Sequence, residues 1–334
     1  MMRQVELGKT GIAISPIGLG CWQFSDAVGI GGRYWPALPA ETMHEIIKIS
    51  LEGGITWFDT AEIYGWGASE RALASGLKEC GVEPGDVVIA TKWMPVMRRA
   101  ESIRKTFADR VKCLSPFPVD LHQVHFPISF SSIEKQMNVM ADLFEEGKIR
   151  AIGVSNFTRK HMEKAHDALA RRGIPLAANQ MRYHLLNRRI ESNGVLELAR
   201  ERGITIIAYS PLAQGILSGK FHKDPGLIKK LTGPRKFLRM FKPAGLAESK
   251  PLVDCLEQVG KTCNASAAEV ALAWMIQRNG DAVVAIPGAS KPQHAKMNVR
   301  ALDLKLKQEE IERIDDVSRK VPGVRAVVPK NTIS

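Results

Sequence analysis

Three residue types that handle protons recur at a fixed interval along this chain. Asp59, Lys92 and His125 lie 33 residues apart and then 33 again. Each closes a short apolar run: Ile-Thr-Trp-Phe-Asp59, Val-Val-Ile-Ala-Thr-Lys92 and Val-Asp-Leu-His-Gln-Val-His125. Tyr64 follows Asp59 by five residues, in Phe-Asp-Thr-Ala-Glu-Ile-Tyr-Gly. A free phenol has a pKa of about 10, too high for ready proton exchange near neutrality. A neighbouring ammonium favours phenolate and lowers that value, and Lys92 is the residue to do so. Asp59 would keep Lys92 charged and oriented, and His125 would donate a hydrogen bond to a substrate oxygen or share the proton load. The set suits protonation of a carbonyl oxygen while something else attacks the carbon. Singly, each residue has a plainer reading: Asp after a strand commonly caps a helix, and His in an apolar run packs in a core.

The elements that position them follow from the same beat. It continues at Ser155, Gln180 and Tyr209, at intervals of 30, 25 and 29 residues. One strand, one helix and two loops take roughly 30 residues. Polar residues at the C-terminal ends of successive parallel strands face one rim of a (β/α)8 barrel, the TIM-barrel fold. The expected fold is therefore α/β, one barrel domain over 1–334. An N-terminal β-hairpin (3–7 and 12–15) turns at Gly8-Lys9-Thr10-Gly11. The first barrel strand is Pro16–Cys21, and strands 5 to 8 read as 150–154, 176–179, 205–208 and 282–286. Helices are expected at about 40–53, 68–79, 99–114, 131–146, 158–171, 191–202, 266–279 and 292–300. Many end in Gly, the usual residue just past a helix C-terminus. Tyr209 to Pro287 breaks the beat at 78 residues. The excess is a rim insertion over about 213–263: a long loop to 250, then a helix near 251–263. An extra helix at 308–319 and an irregular tail at 321–334 complete the chain. Gly29, Gly31 and Gly32 do not form GxGxxG, so no Rossmann fingerprint is present.

Composition narrows the class. Five cysteines with no CxxC spacing read as free thiols, and neither a run of about 20 apolar residues nor an apolar leader is present. A cytoplasmic protein that neither enters membranes nor binds metal is expected. Net charge is +12, from 47 basic and 35 acidic residues, with much of the excess between Lys220 and Lys242. No recognition motif accompanies that charge, so nucleic acid is not an expected partner. The sharper reading is attraction of an anionic phosphate cofactor.

The later rim positions suit something long. Ser155, Asn156 and Gln180 offer a hydroxyl and amides for a carboxamide. Tyr209 offers a face for stacking, and Ser210, Pro211, Leu212, Gln214 and Gly215 form a loop able to approach a pyrophosphate. Gly288, Ser290, Lys291, His294 and Asn298 lead into a helix N-terminus, where barrels often bind phosphate. Trp22, Trp35, Trp66, Trp93 and Phe126, with Tyr34, would make an apolar aromatic substrate pocket. No acidic or basic residue is evidently placed to read a charged substrate.

The segments around Asp59 and Tyr64, Thr-Lys92 and Gln-Val-His125 resemble the catalytic tetrad of the aldo-keto reductase superfamily. So do 147–157 (Gly-Lys-Ile-Arg-Ala-Ile-Gly-Val-Ser-Asn-Phe), 208–215 and 286–289, and the similarity runs from about residue 5 to 318. The branch resembled includes small-carbonyl and sugar reductases and potassium-channel β-subunits. The resemblance implies a metal-free, nicotinamide-dependent carbonyl reductase with Tyr64 as acid–base, Lys92 and Asp59 tuning it and His125 orienting the carbonyl. It implies that Ser155, Asn156 and Gln180 hold the carboxamide and that Tyr209 stacks on the nicotinamide. Segments 210–215 and 288–298 would embrace the phosphates. The loop after the eighth strand departs from the family pattern, which has one or two Arg and then a Gln or Arg four residues before a closing Asn: here the positions are Ser290, Lys291, His294 and Asn298. Lys291 can grip a 2′-phosphate as a point charge, so NADPH is expected and NADH is the alternative. A sugar or alcohol dehydrogenase and a redox-sensing β-subunit-like protein are the competing functions. Monomer or small homo-oligomer is expected.

Overall fold

The computed structural model describes residues 3–29 and 34–324. Gly31, Gly32 and most of the expected tail lie outside these residues. Strands β1 (Val5–Glu6) and β2 (Ala13–Ile14) pair as an antiparallel hairpin. Eight parallel strands follow: β3 (Leu19–Gly20), β4 (Trp57–Asp59), β5 (Val88–Trp93), β6 (Leu121–Val124), β7 (Ala151–Ser155), β8 (Leu176–Arg182), β9 (Thr205–Tyr209) and β10 (Val283–Ile286). Each pairs with its sequence neighbour. The ring closes where β3 meets β10, through the bridges Ile17 to Ala285 and Gly20 to Gly288. Gly18 N–H donates to the Ala285 carbonyl at 2.8 Å and Gly20 N–H to that of Pro287 at 3.1 Å. Gly20 is required there: a Cβ would stand 2.9 Å from the Ile286 carbonyl oxygen.

Strand side chains alternate between the barrel interior and the helix layer. The interior is apolar at its lower end, where Trp57, Val88, Leu121, Ala151, Ile207 and Val284 cluster. Val5, Leu7, Ile12 and Ile14 of the hairpin pack into the same cluster and plug the bottom. Trp57 Nε1 donates to the Ser15 carbonyl at 2.9 Å, tying plug to barrel. Two residues beyond Trp57, Ala90 and Leu121 on the same strand faces, Asp59, Lys92 and Gln123 form a polar layer above this floor.

Helices cover the outside: α1 (Ala40–Glu52), α2 (Ala68–Glu79), α3 (Ser102–Leu114), α4 (Ile133–Glu145), α5 (Arg159–Ala170), α6 (Val195–Arg202), the single turn α7 (Lys220–Lys223), α8 (Pro243–Thr262), α9 (Ala267–Arg278), α10 (Pro292–Asp303) and α11 (Gln308–Lys320). Ser132, Thr158 and Ser266 cap α4, α5 and α9 with their hydroxyls. Helix α6 ends at Gly203, whose φ of 69° only glycine adopts cheaply. Several boundaries differ from the sequence reading, three of them for a local reason. Helix α6 starts at Val195 rather than 191, because Arg189–Glu191 forms a 3-10 turn and Gly194 is left-handed. Strand β8 runs to Arg182 because β9 keeps pairing with it to Tyr209. The helix expected near 251 starts at Pro243, which takes the first-turn position and leaves Pro251 inside. The 213–242 segment is a chain of 3-10 turns and α7 rather than open loop. No helix among the described residues is long and apolar enough to cross a membrane.

The last helix is fixed by charge. Buried Asp315 on α11 accepts from Trp274 Nε1 (3.0 Å), Arg278 Nε (2.9 Å) and Arg319 (2.7 Å), and pairs with Arg188 at 3.1 Å. Removing one partner of a buried ion network leaves uncompensated charge, at a cost of about 3–5 kcal/mol. Asp315→Ala is therefore expected to lower unfolding free energy by that amount in urea titration. A loss below about 1 kcal/mol would mean the network holds nothing.

Candidate active site

The polar layer forms one connected cluster. Lys92 Nζ lies 2.5 Å from Asp59 Oδ1 and donates to the Thr60 carbonyl at 2.7 Å. Both side chains are sealed from solvent. The other oxygen of Asp59 accepts from Gln180 Nε2 at 2.8 Å and Gln123 Nε2 at 3.2 Å. Asp59 thus caps no helix; its lone pairs are spent on the barrel interior. Tyr64, on the loop after β4, leans over this pair with Lys92 Nζ 5.0 Å from its ring centre. His125 meets the Tyr64 ring edge-on at 5.9 Å, and Phe126 stacks on the imidazole at 4.6 Å.

The electrostatics differ from the sequence expectation in one respect. The Tyr64 phenol is pushed well above its ordinary value, first by burial and then by the Asp59 carboxylate. Lys92 does not reverse this, because its charge is paired with Asp59 and the phenol sees nearly a dipole. Burial also pulls the Lys92 ammonium down, with Asp59 opposing. His125 is held far below its usual range by burial and by Lys92. The site therefore rests with a protonated phenol and a neutral imidazole. That arrangement offers two hydrogen-bond donors to an oxygen and a cation behind the acid.

A cavity of about 540 Å³ opens above them. Asp59, Tyr64, His125, Ser155, Asn156, Gln180, Tyr209, Ser210, Pro211, Leu212, Gln214, Gly215, Gly288, Ser290, His294 and Asn298 all border it. Ser155 Oγ donates to the Gln180 carbonyl at 3.0 Å, Asn156 Nδ2 to Ser155 Oγ at 3.0 Å, and the Tyr209 hydroxyl to Asn156 Oδ1 at 2.9 Å. Ser210, Ala213, Gln214 and Gly215 all have positive φ, the curled backbone of an anion-binding loop.

Trp22, Trp35 and Phe126 line the cavity with Tyr34; two expected pocket residues do not. Trp93 is fully buried, its Nε1 donating to Ser102 Oγ at 3.1 Å. It follows Lys92 on β5, and alternation sends it into the helix layer. Trp66 is exposed, with a φ of 51°, and does not border the cavity. Lys291 caps α10 on the surface beside the cavity rather than in its wall.

Three cations escaped the sequence reading. Arg182 borders the cavity with its guanidinium 5.7 Å from the Tyr209 ring centre, so a charged side chain does face the pocket. Lys220 and buried Arg235 line the far end, inside a basic run that reads equally well as a solvated surface. Arg235 donates to the Gln214 carbonyl at 3.1 Å and stacks on Trp35 at 4.0 Å. Burial lowers Arg235 to about 10; burial, Arg235 and Lys291 together lower Lys220. Neither Lys220 nor Arg235 has a carboxylate partner among the described residues. Asn298 Nδ2 and Gln23 Oε1, both in the cavity wall, are buried without a hydrogen-bond partner. Amides and a phenol at one end, unpaired cations and an orphaned amide at the other fit a nicotinamide dinucleotide laid along the rim. Among the described residues no group of His, Cys, Asp or Glu is arranged to hold a metal ion.

Comparisons with known proteins bear on the chain as a whole and on its fold. The profile described as "Aldo/keto reductase family" matches residues 16–319. An uncharacterised oxidoreductase of Mycobacterium tuberculosis is 36% identical over 307 residues, covering 92% of this chain and 90% of the relative. The aldo-keto reductase YhdN of Bacillus subtilis is 34% identical over 303 residues, covering 87% of this chain and 86% of the relative. The solved structure of a glycerol dehydrogenase from Gluconobacter oxydans superposes with a TM-score of 0.80 at 27% identity, covering 98% of each chain.

Behind β5, Thr91 faces the helix layer and its Oγ1 donates to Glu70 Oε1 at 2.6 Å. Arg110 pairs with the other oxygen at 3.0 Å. Burial raises Glu70 from its ordinary 4.5 to about 7, against Arg110 and Thr91. The unfolded chain releases this proton near 4.5 while the folded protein holds it to about 7. The contribution of Glu70 to stability is thus complete below pH 4.5 and falls as pH rises to about 7, by roughly 3 kcal/mol. His122 and His184, lowered to about 3, push the other way in an overlapping window. The wild-type-minus-Glu70→Gln difference isolates Glu70: it should decline from pH 4.5 to 7 in chemical denaturation, and a flat difference would refute the assignment.

Proposed function

Because the chain belongs to the aldo/keto reductase family, we propose that it is an NADPH-dependent reductase of aldehydes and ketones, with Tyr64 as proton donor. The observation that carries the reading is the protonated Tyr64 phenol set over the sealed Lys92–Asp59 pair and beside a neutral His125. A nicotinamide held there would supply the hydride that the carbonyl carbon needs. His125 donates a hydrogen bond to the carbonyl oxygen, and the Tyr64 hydroxyl delivers the proton there as charge develops. The attraction between phenolate and Lys92 appears only once the proton has begun to leave, so it stabilises the transition state rather than the resting site. Ser155, Asn156 and Gln180 orient the carboxamide, and Tyr209 backs the ring.

The cofactor reading rests on charge. Arg235 and Lys291 both repel the Lys220 ammonium, and none of the three has a carboxylate partner among the described residues, which favours a dinucleotide carrying the extra 2′-phosphate. The substrate end is walled by Trp22, Tyr34, Trp35, Ile63 and Phe126, which suits a carbonyl compound with an apolar or planar body. Alcohol oxidation with NADP+ is the second reading, favoured by the likeness to a glycerol dehydrogenase. Comparing kcat/KM in the two directions separates them.

Tyr64→Phe should retain dinucleotide affinity while carbonyl reduction falls at least about 100-fold, as loss of general acid help requires; near-full turnover would remove Tyr64 from the chemistry. Lys291→Ala should weaken NADPH by about tenfold or more and NADH little, a loss typical of a charge-assisted phosphate contact. Equal losses for both cofactors, read by fluorescence titration, would place Lys291 away from the 2′-phosphate.

A further inference from the structure

Eight large apolar side chains are exposed among the described residues, and seven stand on loops at one end of the barrel. Val28 follows β3, Trp66 follows β4, Val96 and Met97 follow β5, Ile128 and Phe130 follow β6, and Phe237 lies in the segment after β9. The eighth, Val111, is on α3. The exposure is large where it matters: Met97 79%, Ile128 64%, Phe130 67% and Phe237 67%. The hairpin end presents none. These loops surround the mouth of the cavity, yet none of the seven side chains borders it.

The same end carries unpaired positive charge. Residues 213–242 contain eight Lys or Arg and a single acid, Asp224. Lys229, Lys230, Lys236 and Lys242 are exposed and have no ion-pair partner among the described residues. Lys236 and Lys242 hold their ammonium groups 5.2 and 5.6 Å from the Phe237 ring centre. An aromatic tip flanked by flexible cations matches the layered polarity of a membrane interface, with apolar groups below the headgroups and lysines among anionic ones. A protein partner would call for one contiguous, shape-matched patch. Isolated side chains projecting from five separate loops suit a fluid surface better.

We infer that this end of the barrel docks on an anionic lipid bilayer, lying on it without crossing it, with the cavity mouth toward the membrane. The surface would let the protein take apolar substrates from the lipid phase, but docking itself does not depend on the proposed reaction.

The test is co-sedimentation of the whole purified protein with vesicles of phosphatidylcholine alone or mixed with phosphatidylserine. Partition into the mixed vesicles should exceed that into neutral ones at least about tenfold and collapse in high salt, since each surface basic residue is worth about fivefold. K236E combined with K242E should lower it at least about 25-fold; K229E with K230E serves if that pair fails to fold. F237S with I128S, which keeps the charge, should also weaken it. An unchanged thermal midpoint establishes that the variants are intact. Absence of binding to mixed vesicles, equal binding to neutral ones, or indifference to F237S and I128S would overturn the inference. Capture of a soluble acidic polypeptide through Phe237 without vesicle binding would replace the membrane with a protein partner.

Discussion

The buried contact between Lys92 and Asp59 is the constraint around which the upper barrel is built. Two charges sealed from water lose hydration worth several kcal/mol each, and only a short contact with satisfied remaining valences offsets that. The Thr60 carbonyl takes a second proton of the ammonium, while Gln180 and Gln123 occupy the second carboxylate oxygen. Four strands or strand ends thus converge on one pair. The hairpin plug excludes water from below. The outcome is a locked dipole whose positive end faces Tyr64, able to act on the phenol only after its proton shifts.

The division of labour along the barrel axis follows from this. The lower interior is aliphatic and aromatic, and the upper interior is amide, hydroxyl and charge, with the change occurring over two residues on β4, β5, β6 and β8. The barrel floor is closed where hairpin, Trp57 and the lower strand residues interlock, while the larger apolar core lies between strands and helices. The chemistry sits where the strands end and the loops begin, as barrels of this kind commonly arrange it.

Much of this was legible because strand geometry is local. A period near 30 residues places the strand ends, and alternation within each strand then decides which residues face the interior. The same alternation, applied to Lys92, would have sent Trp93 outward and Asn179 away from Gln180; Asn179 instead bonds the backbone of Phe157. The insertion after β9 was harder to read. Its turns have no period, and nothing in a run of lysines and arginines distinguishes Lys229, which is exposed, from Arg235, which is buried under Trp35. That distinction comes from contacts between segments about 200 residues apart, such as the Thr232 hydroxyl on the Tyr34 carbonyl at 3.1 Å.

The seam between β3 and β10 has a temporal meaning. Gly20 and Gly288 bridge across it and both border the cavity, yet nearly the whole polypeptide separates them. During synthesis, the first strand must wait beside an unfilled gap until the eighth leaves the ribosome. Contacts of such long range are slow to form and costly in loop entropy. The pocket that both glycines border is therefore complete only after this long-range contact has formed.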